Sequence, residues 1–86
     1  MTEQEILKKF EELGWKVSCV DDNAILKLEK QHKLKTFIHY HIDIFLKLKS
    51  YMFYTATDNQ GQFYGLLNMQ EHQLLTELFK CWKWIE

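Results

Sequence analysis

Arginine and proline are both absent from this 86-residue chain, glycine occurs three times and cysteine twice. Each scarcity excludes something. Bidentate gripping of carboxylate or phosphate is ordinarily the work of arginine, so a chain whose eleven cationic side chains are all lysine is poorly equipped for base readout or an arginine clamp. Gly14, Gly61 and Gly65 are too scattered for a phosphate loop and read as a helix stop, a turn and a strand residue. Cys19 and Cys81 do not have the close spacing of a zinc clip and are expected as free, buried thiols. Ser18 and Ser50 have no nucleophile-elbow context. An enzyme is therefore not expected, and no cofactor is implied. No stretch approaches the roughly 18 apolar residues of a membrane span, and the N-terminal segment lacks the charged-then-apolar pattern of a signal peptide. A cytoplasmic setting without membrane contact follows as an expectation.

What the chain does have is a long alternation of period two, from Phe37 to Ala56, between two segments of helical period. Ile38, Tyr40, Ile42, Ile44, Leu46 and Leu48 fall on one side and His39, His41, Asp43, Lys47 and Lys49 on the other. Successive strand side chains point to opposite faces, so this segment predicts a sheet with one oily face and one accessible face. At about 3.3 Å per residue the run is too long for one strand. The break is placed at Lys47–Ser50, giving strands near 37–46 and 51–57. Thr2 with Glu5 and Asn68 with Glu71 are capping boxes. The first precedes a stripe of Ile6, Leu7, Phe10 and Leu13 closed by Gly14; the second precedes Leu74, Leu75, Leu78, Phe79, Trp82 and Ile85, a stripe running to the chain end. Trp15, Val17 and Cys19 alternate up to a turn at Asp21-Asp22-Asn23, and Leu26 and Leu28 return from it, predicting a hairpin. Asp58-Asn59-Gln60-Gly61 reads as a further turn, with Phe63 to Leu67 as the last strand. The predicted fold is a single α+β domain: N-terminal helix, four- to five-stranded antiparallel meander, C-terminal helix, with both helices on one sheet face.

Net charge is only −1, yet it is unevenly spread. Residues 1–26 hold three lysines and six acids, residues 27–49 six lysines and two acids, and residues 50–86 two lysines and four acids. Such a chain can orient a charged partner, although its total charge is too small to drive nucleic-acid binding. By parity Phe37, Phe45, Tyr51 and Phe53 join the histidines on the outer face, provided the break leaves the count unchanged. Lys27, Lys47, Lys49, Tyr51 and Phe53 then form a basic, aromatic platform of the kind that stacks single-stranded nucleic acid. Lys49, Tyr51 and Phe53 resemble positions of the RNA-recognition motif, but Ser50 and Met52 stand where that motif has glycine and the element order differs. A dimer seam through the same face is the other reading. His39, His41 and Asp43 are the only cluster with metal-ligand spacing; without a fourth ligand they read better as an ordinary polar strand face, and no metal is assigned. Trp84 stands about 200° around the helix from Trp82, which leaves two readings: an outward interface anchor, or a last turn folded back onto the core.

Lysine, isoleucine, phenylalanine and tyrosine in place of arginine, proline and glycine is the composition that AT-rich genes of low-GC bacteria encode. In size, composition and helix, sheet, helix plan the chain resembles small accessory proteins of phages and mobile elements, and is similar to some anti-CRISPR inhibitors. The resemblance implies a protein-binding inhibitor or adaptor of a host complex, such as a nuclease complex, acting in the bacterial cytoplasm. Many anti-CRISPR proteins are strongly acidic, a pattern from which this chain departs. Carried onto these residues, the resemblance points to the acidic side chains Glu3, Glu5, Glu11, Glu12, Asp21 and Asp22 as the surface that meets a basic groove.

Overall fold

A computed structural model describes residues 1–22, 24–57, 61–63 and 67–85. The elements run α1 (Glu3–Glu12), β1 (Lys16–Val20), β2 (Ile25–Gln31), β3 (Ile38–Phe45), β4 (Ser50–Thr57), β5 (Gly61–Phe63) and α2 (Met69–Cys81). The five strands form one antiparallel sheet in sequential order, β1 to β5. This is the predicted α+β meander, with the central run broken where its length required. The expected turn at Asp58-Asn59-Gln60 and most of the strand expected from Phe63 to Leu67 lie outside the described residues.

Both capping boxes form. The Thr2 hydroxyl accepts from the Glu5 amide at 3.2 Å, and the Asn68 side chain accepts from the Glu71 amide at 2.8 Å, while each glutamate reaches back to the amide of its cap residue. Both helices also end alike. Gly14 (φ +99°) donates to the Glu11 carbonyl and Trp15 to that of Phe10; Lys83 (φ +61°) donates to Lys80 and Trp84 to Phe79. These bond pairs define the left-handed Schellman stop, which leaves each tryptophan against the phenylalanine five residues before it. The second stop ends α2 at Cys81, short of the stripe that ran to the chain end in sequence: Lys83 takes the left-handed conformation usually reserved for glycine.

The core lies between the helices and one sheet face. Ile6 and Phe10 of α1 and Leu74, Leu75, Leu78 and Phe79 of α2 bury against Leu26, Leu28, Ile42 and Ile44, with Trp15 closing one end. Full burial of each aliphatic side chain contributes about 1.5–3 kcal/mol. The helices are antiparallel neighbours: Cys81 Sγ meets the Met1 carbonyl at 3.0 Å, while Glu71, one turn into α2, meets Trp15 just beyond α1. Contacts of Glu71 with Lys30 and of Phe79 with Tyr51 set α2 over β2 to β4, which leaves α1 on the β1 side.

Register decides which side chains share a face. The four-residue turn at 46–49 pairs Phe45 with Ser50, so odd positions of β4 oppose even positions of β3: Ile42 faces Phe53 and Ile44 faces Tyr51. The parity of the central run therefore reverses at the turn. Tyr51 and Phe53 lie on the helix side, Phe53 packed against the core and Tyr51 5.2 Å from the Phe79 ring, whereas Met52 and Tyr54 join the histidine face. Leu48, counted on the oily side in sequence, sits in the turn and is 76% exposed. The cysteines are free as expected but exposed rather than buried: Cys19 belongs to an edge strand and Cys81 to the end of α2.

Candidate functional site

The six acidic residues singled out in sequence frame β1. Glu3, Glu5, Glu11 and Glu12 are exposed along α1, and Asp21 and Asp22 are exposed in the turn that follows β1. Since α1 begins beside the C-terminus of α2 and ends at the start of β1, Glu3 and Glu5 lie toward the Asp21–Asp22 end of that strand and Glu11 and Glu12 at its beginning. Asp21 and Asp22 both hold positive φ, +53° and +54°, a region that aspartate tolerates better than most residues. Glu5 is already engaged in its cap: hydrogen bonds from the Thr2 hydroxyl and amide hold its carboxyl below the ordinary value. The Leu46 amide donates to the Ala24 carbonyl, so the turn bearing Lys47 and Lys49 lies directly beside the aspartate turn. The acid-to-base separation of the linear sequence is thus partly folded out of existence at this end.

The opposite face of the sheet is covered by no described element and presents rows across the strands. One row runs Lys16, Glu29, His41, Tyr54; its neighbour runs Ser18, Lys27, Asp43, Met52. Their charges are matched internally. Asp43 accepts from the Tyr54 hydroxyl at 3.1 Å and faces the Lys27 ammonium at 3.5 Å, an ion pair outside hydrogen-bond geometry. His41 stacks flat on Tyr54 with ring centroids 4.8 Å apart. Burial lowers the His41 imidazole below its ordinary value against the opposing pull of Glu29 and Asp43, and its Nδ1 has no partner among the described residues. Burial, with Asp43 alongside, pushes the Tyr54 phenol up to about 12. The His39, His41, Asp43 triad does not converge: the imidazole centroids are 6.4 Å apart, and Asp43 is committed to Tyr54 and Lys27. Among the described residues no three histidine, cysteine, aspartate or glutamate side chains are placed to hold a metal ion.

Sequence reasoning read the most buried charge among the described residues only as a helix cap. Glu71 is 6% exposed; its Oε2 accepts from the Trp15 indole at 2.6 Å and faces the Lys30 ammonium at 3.5 Å, while its Oε1 accepts from the Asn68 amide. Lys30 also stands over the Trp15 ring, 5.7 Å from its centroid. One carboxylate thus caps α2 and clamps the end of α1 to the sheet. A cavity of about 210 Å³ opens here, lined by Tyr40, Phe53 and Leu67 besides these residues. The capping-box glutamate was legible in sequence; the indole 56 residues away that it meets was not.

Of the nucleic-acid platform, Lys27 is on the open face and paired, Lys47 and Lys49 are in a turn, and Tyr51 and Phe53 are on the helix face. The five residues form no common plane, because the even-length turn moves the two rings to the other side of the sheet. Trp84 does not stand outward: it is half-buried and stacked on Phe79 at 5.2 Å with Trp82 at 4.9 Å, as the folded-back reading has it. Comparison of the chain with protein-family models, with curated proteins and with solved structures finds no match.

Proposed function

We propose that this chain is a small non-enzymatic protein-binding module that acts by occupying part of a partner's surface, in the manner of the phage-type inhibitors and adaptors, anti-CRISPR proteins among them, that it resembles in size and element order. A host complex in the bacterial cytoplasm is the partner such a role requires. The observation that carries the reading is the placement of the acids: Glu3, Glu11, Glu12, Asp21 and Asp22 are all exposed and come from α1 and from the turn after β1, the two segments that bracket β1. A basic surface is their natural complement. The sheet face opposite the helices, with its charges matched in pairs, offers no comparable excess of one sign.

The test is affinity capture from a nuclease-treated lysate of a low-GC bacterium, comparing the wild-type chain with Glu3→Lys, Glu11→Lys, Glu12→Lys, Asp21→Lys and Asp22→Lys combined. Glu5 is left in place because it caps α1. A protein that co-sediments with the wild type in fixed stoichiometry and is lost from the variant supports the reading. Undiminished capture by the variant, or loss of every captured protein on nuclease treatment, refutes it.

A further inference from the structure

We infer that the partner is engaged as an extended segment that adds to the free edge of β1 as a further antiparallel or parallel strand, with lysine or arginine side chains directed to the helix side. The inference rests on the protein-binding reading above and names its mode. β1 is the terminal strand of the sheet and pairs with β2 alone, in unbroken register from Lys16 to Val20. A terminal strand presents a row of backbone donors and acceptors to solvent, and proteins that must avoid strand addition blunt such edges with proline, a bulge or clustered charge. β1 has no proline, no interruption of register and a single charge, Lys16, at its first position. Four of its five residues are exposed, Val20 at 37%.

A shallow hollow flanks the start of this edge on the helix side and touches Gly14 and Lys16. It measures about 570 Å³ and is bounded further by Glu11, Trp15 and Val17; a separate hollow of about 310 Å³ bounded by Glu29, Gln31 and His39 opens over β2 and β3, inward of β1. A strand laid along β1 sends successive side chains alternately to the two sides, so a residue at its end enters the helix-side hollow. Charge selects the occupant. Glu11 lines the helix-side hollow, Glu12 lies beside it, and Asp21 and Asp22 stand at the far end of the strand. A segment with cationic side chains on its helix side meets a carboxylate at both ends.

The probe is a capped alternating peptide, Lys-Val-Lys-Val-Lys-Val, titrated into the isotope-labelled chain while amide exchange and chemical shifts are followed. Slowed exchange is expected at the outward amides of β1, with shifts confined to Gly14–Asp22. The same peptide N-methylated at alternate residues, which cannot form a strand ladder, should bind at least tenfold more weakly, as should Glu-Val-Glu-Val-Glu-Val. Glu11→Lys with Glu12→Lys should reduce binding of the lysine peptide by a similar factor. Protection appearing on β3 and β4 rather than β1, equal binding of the N-methylated peptide, or no response at millimolar peptide overturns the inference. So does sedimentation showing that the chain closes its own β1 edge with a second copy. In the capture experiment, Val20→Lys with Ser18→Lys places charge on the edge; a partner lost with the five-acid variant but retained by this one leaves the protein-binding reading standing and removes strand addition.

Discussion

Two segments of this molecule follow one local plan and arrive at different burial. Phe10 to Trp15 and Phe79 to Trp84 each close a helix with the same pair of backbone bonds and the same phenylalanine-to-tryptophan contact. Trp15 ends 3% exposed, edge-on to Phe10, with its indole N–H locked to Glu71. Trp84 ends half-buried, face-on to Phe79, with no hydrogen bond from its indole to any described residue. The stop motif sets where the ring starts; what the chain does next sets how deeply it is enclosed. After Trp15 the chain enters β1 and the N-terminus of α2 closes over the ring, whereas Trp84 lies against Phe79 and Trp82 at the end of α2.

The difference can be measured. Trp15→Ala removes an enclosed ring and takes one of its donors from a buried carboxylate, so a loss of about 3–5 kcal/mol is expected in denaturant unfolding, against about 1–2 kcal/mol for Trp84→Ala. Equal losses would mean that enclosure does not separate the two sites. Glu71→Ala should cost about 2–3 kcal/mol and Glu71→Gln about 1 kcal/mol, because glutamine keeps an acceptor for the indole but loses the charge facing Lys30. Equal effects of the two changes would assign the role to the charge alone, since glutamine keeps the volume and the acceptor that alanine loses.

The stops themselves differ in their left-handed residue. Gly14→Ala meets no steric obstacle, since its added Cβ would lie 3.7 Å from Lys30 Cε, yet φ +99° should make it destabilising by about 1–2 kcal/mol. Lys83→Gly relaxes the same strain at the other helix and should gain about 0.5–1 kcal/mol; thermal melts of the pair should move in opposite directions. The smallest effect is on pH. The folded His41 imidazole sits below its ordinary value, so the unfolded chain binds that proton more readily and stability falls as pH drops below about 6.5. His41→Gln should flatten that part of a melting-temperature profile. On the alkaline side the raised Tyr54 phenol acts in the opposite sense, with stability lost as pH rises from about 10 toward about 12.

Much of the scaffold was legible residue by residue. Capping boxes at Thr2–Glu5 and Asn68–Glu71, the stripe of α1, that of α2 as far as Phe79 and the alternation from Ile38 to Phe45 formed as read. The break near Lys47 followed from strand length. The face assignment beyond it did not, since parity depends on how many residues the turn holds: four there put Tyr51 and Phe53 with the core. Of the candidate surface, the acids were visible as residue types, but their arrangement around β1 depends on which end of α1 meets which end of the strand. The Glu71 clamp joins positions 56 apart and left no local trace.

Signals carried by near neighbours were thus settled along the chain: hydrogen bonds three to five residues apart fix helix starts and stops, and periods of two and 3.6 fix which elements form. Enclosure, pairing and exposure were settled in space. Whether a tryptophan is sealed, a carboxylate clamped or a strand edge left open depends on segments far apart in sequence arriving at the same place, and no local bond encodes that arrival.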